Sequence, residues 1–242
     1  MELSKEDVAF VRKGNGRDLV LLHGYLSSKE AFLPLVDYFS AFYRVTALDF
    51  CGFGKSAPLP YAFSVDDYAE WTEEAFELLG IVRPLCIAHS FGCRVVVKMQ
   101  ARAARKGAQN PFSKVVLTGP AGIMQKRTVG YYAKVKAYRI TRRVFPKFAE
   151  KRFGSAEYRT LSPAMKESYK KIVGEDLRAD IAAADCETLV IEGANDAVIT
   201  PSEAEEYAAL LPRGRMKKID GGHFAFAENA TSFTMETEEF FE

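Results

Sequence analysis

Ser90 stands in Ala88-His89-Ser90-Phe91-Gly92, directly after the apolar run 85–88 and directly before a helix-like run over 91–105. A serine between a buried strand and a helix, flanked by small residues, is the pattern of a nucleophile elbow. The sharp turn holds the hydroxyl clear of the sheet, and the small neighbours let strand and helix approach. Ala88 stands where the usual pattern has its first glycine, a departure of one methyl group. The same serine could instead be a helix cap, its oxygen accepting from the amides of the first turn. The two uses differ in what else the chain must supply. A serine hydroxyl is a weak nucleophile near neutral pH, so acyl chemistry needs a histidine as base and a carboxylate to orient it. The chain has three histidines, His23, His89 and His223, and His223 sits in a loop, Gly221-Gly222-His223. Asp196 follows the apolar run 188–191, and Asp185 and Asp220 are the alternative acids.

Such residues work only if a scaffold brings distant loops together. Short runs rich in Val, Ile and Leu recur at 8–11, 19–22, 45–48, 85–88, 115–118 and 188–191, and a further strand-like stretch covers 216–219. They read as buried strands. Segments of mixed polarity at helical spacing lie between or after them, at 30–40, 65–79, 91–105, 202–211 and 229–241. The alternation predicts an α/β fold, a mostly parallel central sheet covered by helices on both faces. It fails from 122 to 184, where no strand-like run occurs. Tyr131, Val135 and Tyr138 fall at one-turn and two-turn spacing and predict an amphipathic helix. Ser162 as N-cap, Pro163 in the first turn and Gly174 past the end predict a second helix over 164–173. The expected organisation is therefore a core of 1–121 and 185–242 with an inserted all-helical lid at 122–184, within one structural domain.

Composition sets outer limits. A chain of 242 residues fits a single α/β domain, and 48% hydrophobic against 27% charged residues exclude a disordered chain. With 33 Lys and Arg against 32 Asp and Glu, no global charge draws the protein to nucleic acid. No apolar run approaches the roughly 18 residues of a membrane span. The first seven residues lack a basic and apolar secretory leader, so the expected location is cytoplasmic. Cys51, Cys86, Cys93 and Cys186 form no C-x-x-C pair and read as buried thiols rather than bridges or zinc ligands. No internal repeat is present, which excludes solenoids and propellers.

Five motifs in order carry a resemblance: His23-Gly24, Asp49-Phe50-Cys51-Gly52-Phe53-Gly54-Lys55-Ser56, the turn at Ser90, Asp196, and Gly222-His223. Over nearly its whole length the chain resembles the α/β-hydrolase superfamily, in the compact esterase-like group with a helical lid. That resemblance implies the chain order serine, acid, histidine. Only His223 follows Ser90, and Asp196 occupies the acid position, since the other usual location reads Gly119-Pro120-Ala121. It also implies an oxyanion hole made by the backbone amides of Phe91 and Tyr25. His23 is expected to brace the Tyr25 loop, His89 to pack, and the Asp49 to Ser56 turn to be structural. No metal or organic cofactor is implied. A serine rather than an aspartate nucleophile does not favour the dehalogenase and epoxide-hydrolase branches.

The expected function is hydrolysis of a carboxylic ester, thioester or lactone through an acyl-enzyme. The alternatives are acyl transfer or perhydrolysis on the same acyl-enzyme, and a slow-turnover ligand sensor signalling through its lid. Between Ile123 and Arg152 there are ten basic residues against one acidic. Such a run is either a solvated face with long stems over apolar surface, or an attractor for an anionic acyl substrate.

Overall fold

The structure, a computed structural model, describes residues 3–124 and 160–242. Its strands are β1 (Phe10–Lys13), β2 (Asp18–Leu22), β3 (Arg44–Leu48), β4 (Leu85–His89), β5 (Lys114–Thr118), β6 (Thr188–Gly193) and β7 (Gly214–Ile219). They form one sheet in the order β1-β3-β2-β4-β5-β6-β7, with β1 antiparallel to β3 and the other pairs parallel. The helices are α1 (Leu33–Phe39), α2 (Val65–Leu79), α3 (Phe91–Arg105), α4 (Pro163–Gly174), α5 (Arg178–Ala183), α6 (Pro201–Leu210), α7 (Ala225–Glu228) and α8 (Ala230–Phe241).

Strand periodicity sorts the core into two layers. Leu19, Leu21 and Ile87 point to one face, where they meet Phe39 of α1 and Phe233 of α8. Val20, Leu22 and Ala88 point to the other, against α2, α3, α5 and α6. Each central strand is thus apolar on both sides, which is why it reads as a continuous run rather than an alternation. Local chemistry ends the helices. Ser64 and Asp67 exchange hydrogen bonds as a capping box at the start of α2, and Gly80 (φ 63°) closes it. Ser162 accepts from the Met165 amide at the start of α4, as its spacing predicts.

Two expectations shift. The strand expected at 8–11 lies at Phe10–Lys13, because Val8 is buried against the core rather than paired; apolarity there signalled burial and not the ladder. The helix expected at 30–40 is a 3-10 turn, Lys29–Phe32, followed by α1. Lys29 is drawn inward at this turn, its Nζ 2.6 Å from Asp49 Oδ2. The helix expected around Tyr131 to Tyr138 and nearly all of the basic run lie outside the described residues. Of the segment 122–184, Leu177, Ile181 and Ala184 pack into the same core layer as Val190 and Tyr207.

Candidate active site

The chain leaves β2 to form β3 on one side and returns through β4 to build β5, β6 and β7 on the other. The winding direction reverses between β2 and β4, and in open α/β sheets the carboxyl ends of the strands at such a point are where ligands bind. Ser90 directly follows β4, Tyr25 lies in the loop after β2, Asp196 in the loop after β6, and His223 in the loop after β7.

Ser90 is held at φ 49° and ψ −104°, a conformation that a residue with a Cβ adopts only under constraint. Its amide donates to the Thr118 carbonyl at 3.0 Å, which fastens the turn to β5. Although it occupies the N-cap position of α3, its side chain makes no capping hydrogen bond, so the hydroxyl is not spent on the helix. Phe91 opens α3, and its amide lies among the first-turn N–H groups that have no intrahelical acceptor. Two glycines make the approach possible. A Cβ on Gly92 would lie 2.4 Å from the Leu22 carbonyl oxygen, and one on Gly24 would lie 2.9 Å from His89 Nδ1 and 3.5 Å from Ser90 Cβ. The loop that carries Tyr25 therefore runs alongside the serine.

Asp196 and His223 are joined, with His223 Nδ1 2.8 Å from Asp196 Oδ2. The Asp196 side chain is fully buried, and its Oδ1 accepts from the amides of Val198 at 2.6 Å and Ile199 at 3.0 Å. The His223 ring lies against Gly119, where an added Cβ would come within 3.0 Å of Nδ1. The remaining two histidines are uncharged at neutral pH. Burial pushes His23 down to about 4 and His89 down to about 3. His23 Nδ1–H donates to the Gly24 carbonyl at 2.7 Å, and its Nε2 accepts from the Phe50 amide at 3.1 Å. One neutral tautomer satisfies both bonds, and the ring braces the Tyr25 loop.

His89 does more than pack. A carbonyl only accepts, so its Nε2 carries the proton and donates to the His223 carbonyl at 2.9 Å, with the two rings 4.7 Å apart. Tyr25 also has a role that sequence reasoning missed: its hydroxyl donates to the Met165 carbonyl of α4 at 2.8 Å. No sequence signal could have found either bond, since each joins segments more than a hundred residues apart. Asp49 is wholly buried with both oxygens engaged by Lys29 and Lys55, and Ser56 Oγ donates to its carbonyl, which makes the Asp49 to Ser56 turn a tied structural unit. All four cysteines are free and buried.

The family model described as alpha/beta hydrolase fold matches residues 19–230, and the chain belongs to that family. It is 33% identical over 93 residues to the (E)-2-((N-methylformamido)methylene)succinate hydrolase of Acinetobacter baylyi, covering 38% of this chain and 35% of the relative. It is 31% identical over 134 residues to a putative non-heme haloperoxidase of Mycobacterium phage D29, covering 54% of this chain and 46% of the relative. The matches therefore span less than half the length of either relative. Among solved structures, the enol-lactonase of Burkholderia xenovorans LB400 superposes with a TM-score of 0.73 at 22% identity, covering 97% of this chain and 96% of that one. At that identity the likeness establishes the fold.

Proposed function

We propose that this protein is a serine hydrolase that cleaves a carboxylic ester, with Ser90, His223 and Asp196 as its triad. The observation that carries the reading is the strained Ser90 turn with its hydroxyl unspent, at the strand ends where a buried carboxylate already orients a histidine. In this reading Ser90 Oγ attacks the carbonyl carbon while its proton passes to His223 Nε2. The tetrahedral oxyanion accepts from the amides of Tyr25 and Phe91. Collapse breaks the bond to the leaving oxygen, which takes the proton from His223, and leaves an ester on Ser90. Water then attacks that ester, gives its proton to His223, and releases the acid with Ser90 restored.

The names of the relatives support the chemistry: the Acinetobacter protein is a hydrolase and the Burkholderia protein a lactonase. A lactone, thioester or activated amide presents the same electrophilic carbon. The Acinetobacter enzyme's named substrate is a succinate, a dicarboxylate, and this favours an anionic acyl substrate alongside the basic run from Ile123 to Arg152. From the segment 122–184, α4 reaches the proposed oxyanion loop, where the Tyr25 hydroxyl donates to the Met165 carbonyl.

The test is covalent labelling. A fluorophosphonate probe should add one label to the intact protein, and peptide mapping should place it on Ser90. Labelling that persists in Ser90→Ala places the nucleophile elsewhere. Product analysis with a competing alcohol or peroxide then separates hydrolysis from acyl transfer and perhydrolysis.

A further inference from the structure

The steps above make no use of Glu192, a wholly buried acid four residues before Asp196. Along β6, Leu189 and Ile191 face the layer of α1 and α8, and Val190 faces the opposite layer with Cys93 and Leu117. Strand alternation turns Glu192 to that second side. It is wholly buried there, and neither Oε1 nor Oε2 has a partner in full hydrogen-bond geometry. The charged and titratable groups that act on it come from four places: Asp196 in the loop after β6, Glu203 on α6, Lys218 on β7 and Cys93 on α3 beneath the Ser90 turn. Lys218 offers little, because it is half exposed and its Nζ bonds Glu205 at 2.8 Å. An ionised Glu192 would thus be a dry, unbonded charge facing a second carboxylate. Burial, then the Asp196 charge and the hydrogen bond at the margin of contact with it, push Glu192 up to about 8.

A neutral carboxylic acid has an O–H to give. Asp196 spends Oδ1 on two backbone amides and one site of Oδ2 on His223, which leaves it further lone-pair capacity. We propose that Glu192 is a positioning residue of the triad, a carboxylic acid whose O–H is donated to the Asp196 carboxylate so that the two carboxyls share one proton. This rests on the reading of Ser90, His223 and Asp196 as a triad. Sharing one proton gives Asp196 a further hydrogen bond beside those from the loop amides and His223 and keeps the pair at a single negative charge. When Glu192 ionises, the hydrogen bond to Asp196 is replaced by repulsion between two carboxylates, and Asp196 loses the position it holds beside His223.

The sign of the stability effect follows from the raised value. Unfolded, Glu192 titrates near the ordinary 4.5; folded, it holds its proton up to about 8. Its contribution is complete below the unfolded value and is lost as pH rises through the folded one. Glu192→Gln keeps the size and a donor but has no proton to lose. The Tm of Glu192→Gln minus that of wild type should therefore climb steadily from pH 5 to 8 and then level. A difference that is constant with pH overturns the protonated state and the proposal with it.

The catalytic arm uses the rate of Ser90 labelling by a neutral fluorophosphonate across pH. Glu192→Leu, with no donor, should label roughly ten-fold or more slowly at pH 7, as supporting partners of catalytic groups do. Glu192→Gln should lose less, and the alkaline inflection of wild type should be absent from its profile. Wild-type labelling rates at every pH in both variants overturn the positioning role while leaving the triad intact. Absence of any label on wild-type Ser90 overturns the triad reading itself, and the positioning role falls with it. Should Glu192→Leu fail to fold, the wild-type and Glu192→Gln profiles decide alone: matching alkaline limbs overturn the proposal.

Discussion

Two backbone amides, those of Val198 and Ile199, claim Oδ1 of Asp196 and leave Oδ2 to His223. That division predicts what an amide would do in its place. In Asp196→Asn the carbonyl oxygen stays with the two amides, so the NH₂ faces His223 Nδ1 and forces that nitrogen to accept. The proton then sits on Nε2, and in the proposed triad the ring can no longer take the Ser90 proton. Activity on a chromogenic ester should fall by roughly 10⁴-fold with the fold unchanged by circular dichroism. Near-full activity would transfer the third role to another carboxylate such as Asp185 or Asp220. The residue types of this constellation were legible in the sequence because they lie in short local patterns. The partners of His89 and Tyr25 were not, because hydrogen bonds between segments more than a hundred residues apart leave no spacing signature.

At the scale of elements, α3 is tied to α4 and α5 by buried charge. Lys98 Nζ lies 2.7 Å from both Glu175 Oε1 and Asp180 Oδ2, Arg105 reaches Asp180 Oδ1 at 2.5 Å, and Arg94 donates to the Ile172 and Glu175 carbonyls. Lys98 and Asp180 are both nearly inaccessible, so removing one partner strands charge where water cannot reach it. Asp180→Ala should cost about 3 kcal/mol, the lower part of the usual range because Glu175 still faces Lys98. For a chain of this length each kcal/mol lowers Tm by about 2–4 °C, so a thermal melt should drop by roughly 6–12 °C. The exposed pair Lys170 and Glu167 is the control, and Lys170→Ala should move Tm by little. Helix limits such as those of α2 and α3 match their sequence patterns because caps and periodicity are local. The coupling of α3 to α5 is not legible, since Lys98 and Asp180 are 82 positions apart.

The whole chain is nearly neutral at +1, yet ten basic residues against one acidic fall between Ile123 and Arg152. Charge so unevenly distributed acts beyond contact distance and raises the local concentration of its opposite. If it serves an anionic acyl substrate, the double variant Arg142→Glu with Arg143→Glu should raise KM several-fold for an anionic ester and leave a neutral ester of equal size nearly unaffected. Added salt should mimic the variant, because the Debye length is already about 8 Å at physiological ionic strength. Equal responses of both esters would leave these residues as a solvated face.

Sequence by itself determined the fold class and named the residues proposed for the site, since both are written in periodicities and short motifs that each residue's neighbours complete. Buried parallel strands must be apolar on both faces, and a serine on a strained strand-to-helix turn needs small residues around it; these are local demands. Only the tertiary structure decided which groups support the site. Its winding reverses between β2 and β4 and brings the loops at Tyr25, Ser90, Asp196 and His223 to one end of the sheet. That meeting creates the neutral His89 behind His223 and the buried Glu192 beside Asp196. A histidine or glutamate in a strand reads as an ordinary polar residue until its neighbours in space remove its water, and desolvation by distant segments is a property that no stretch of sequence carries.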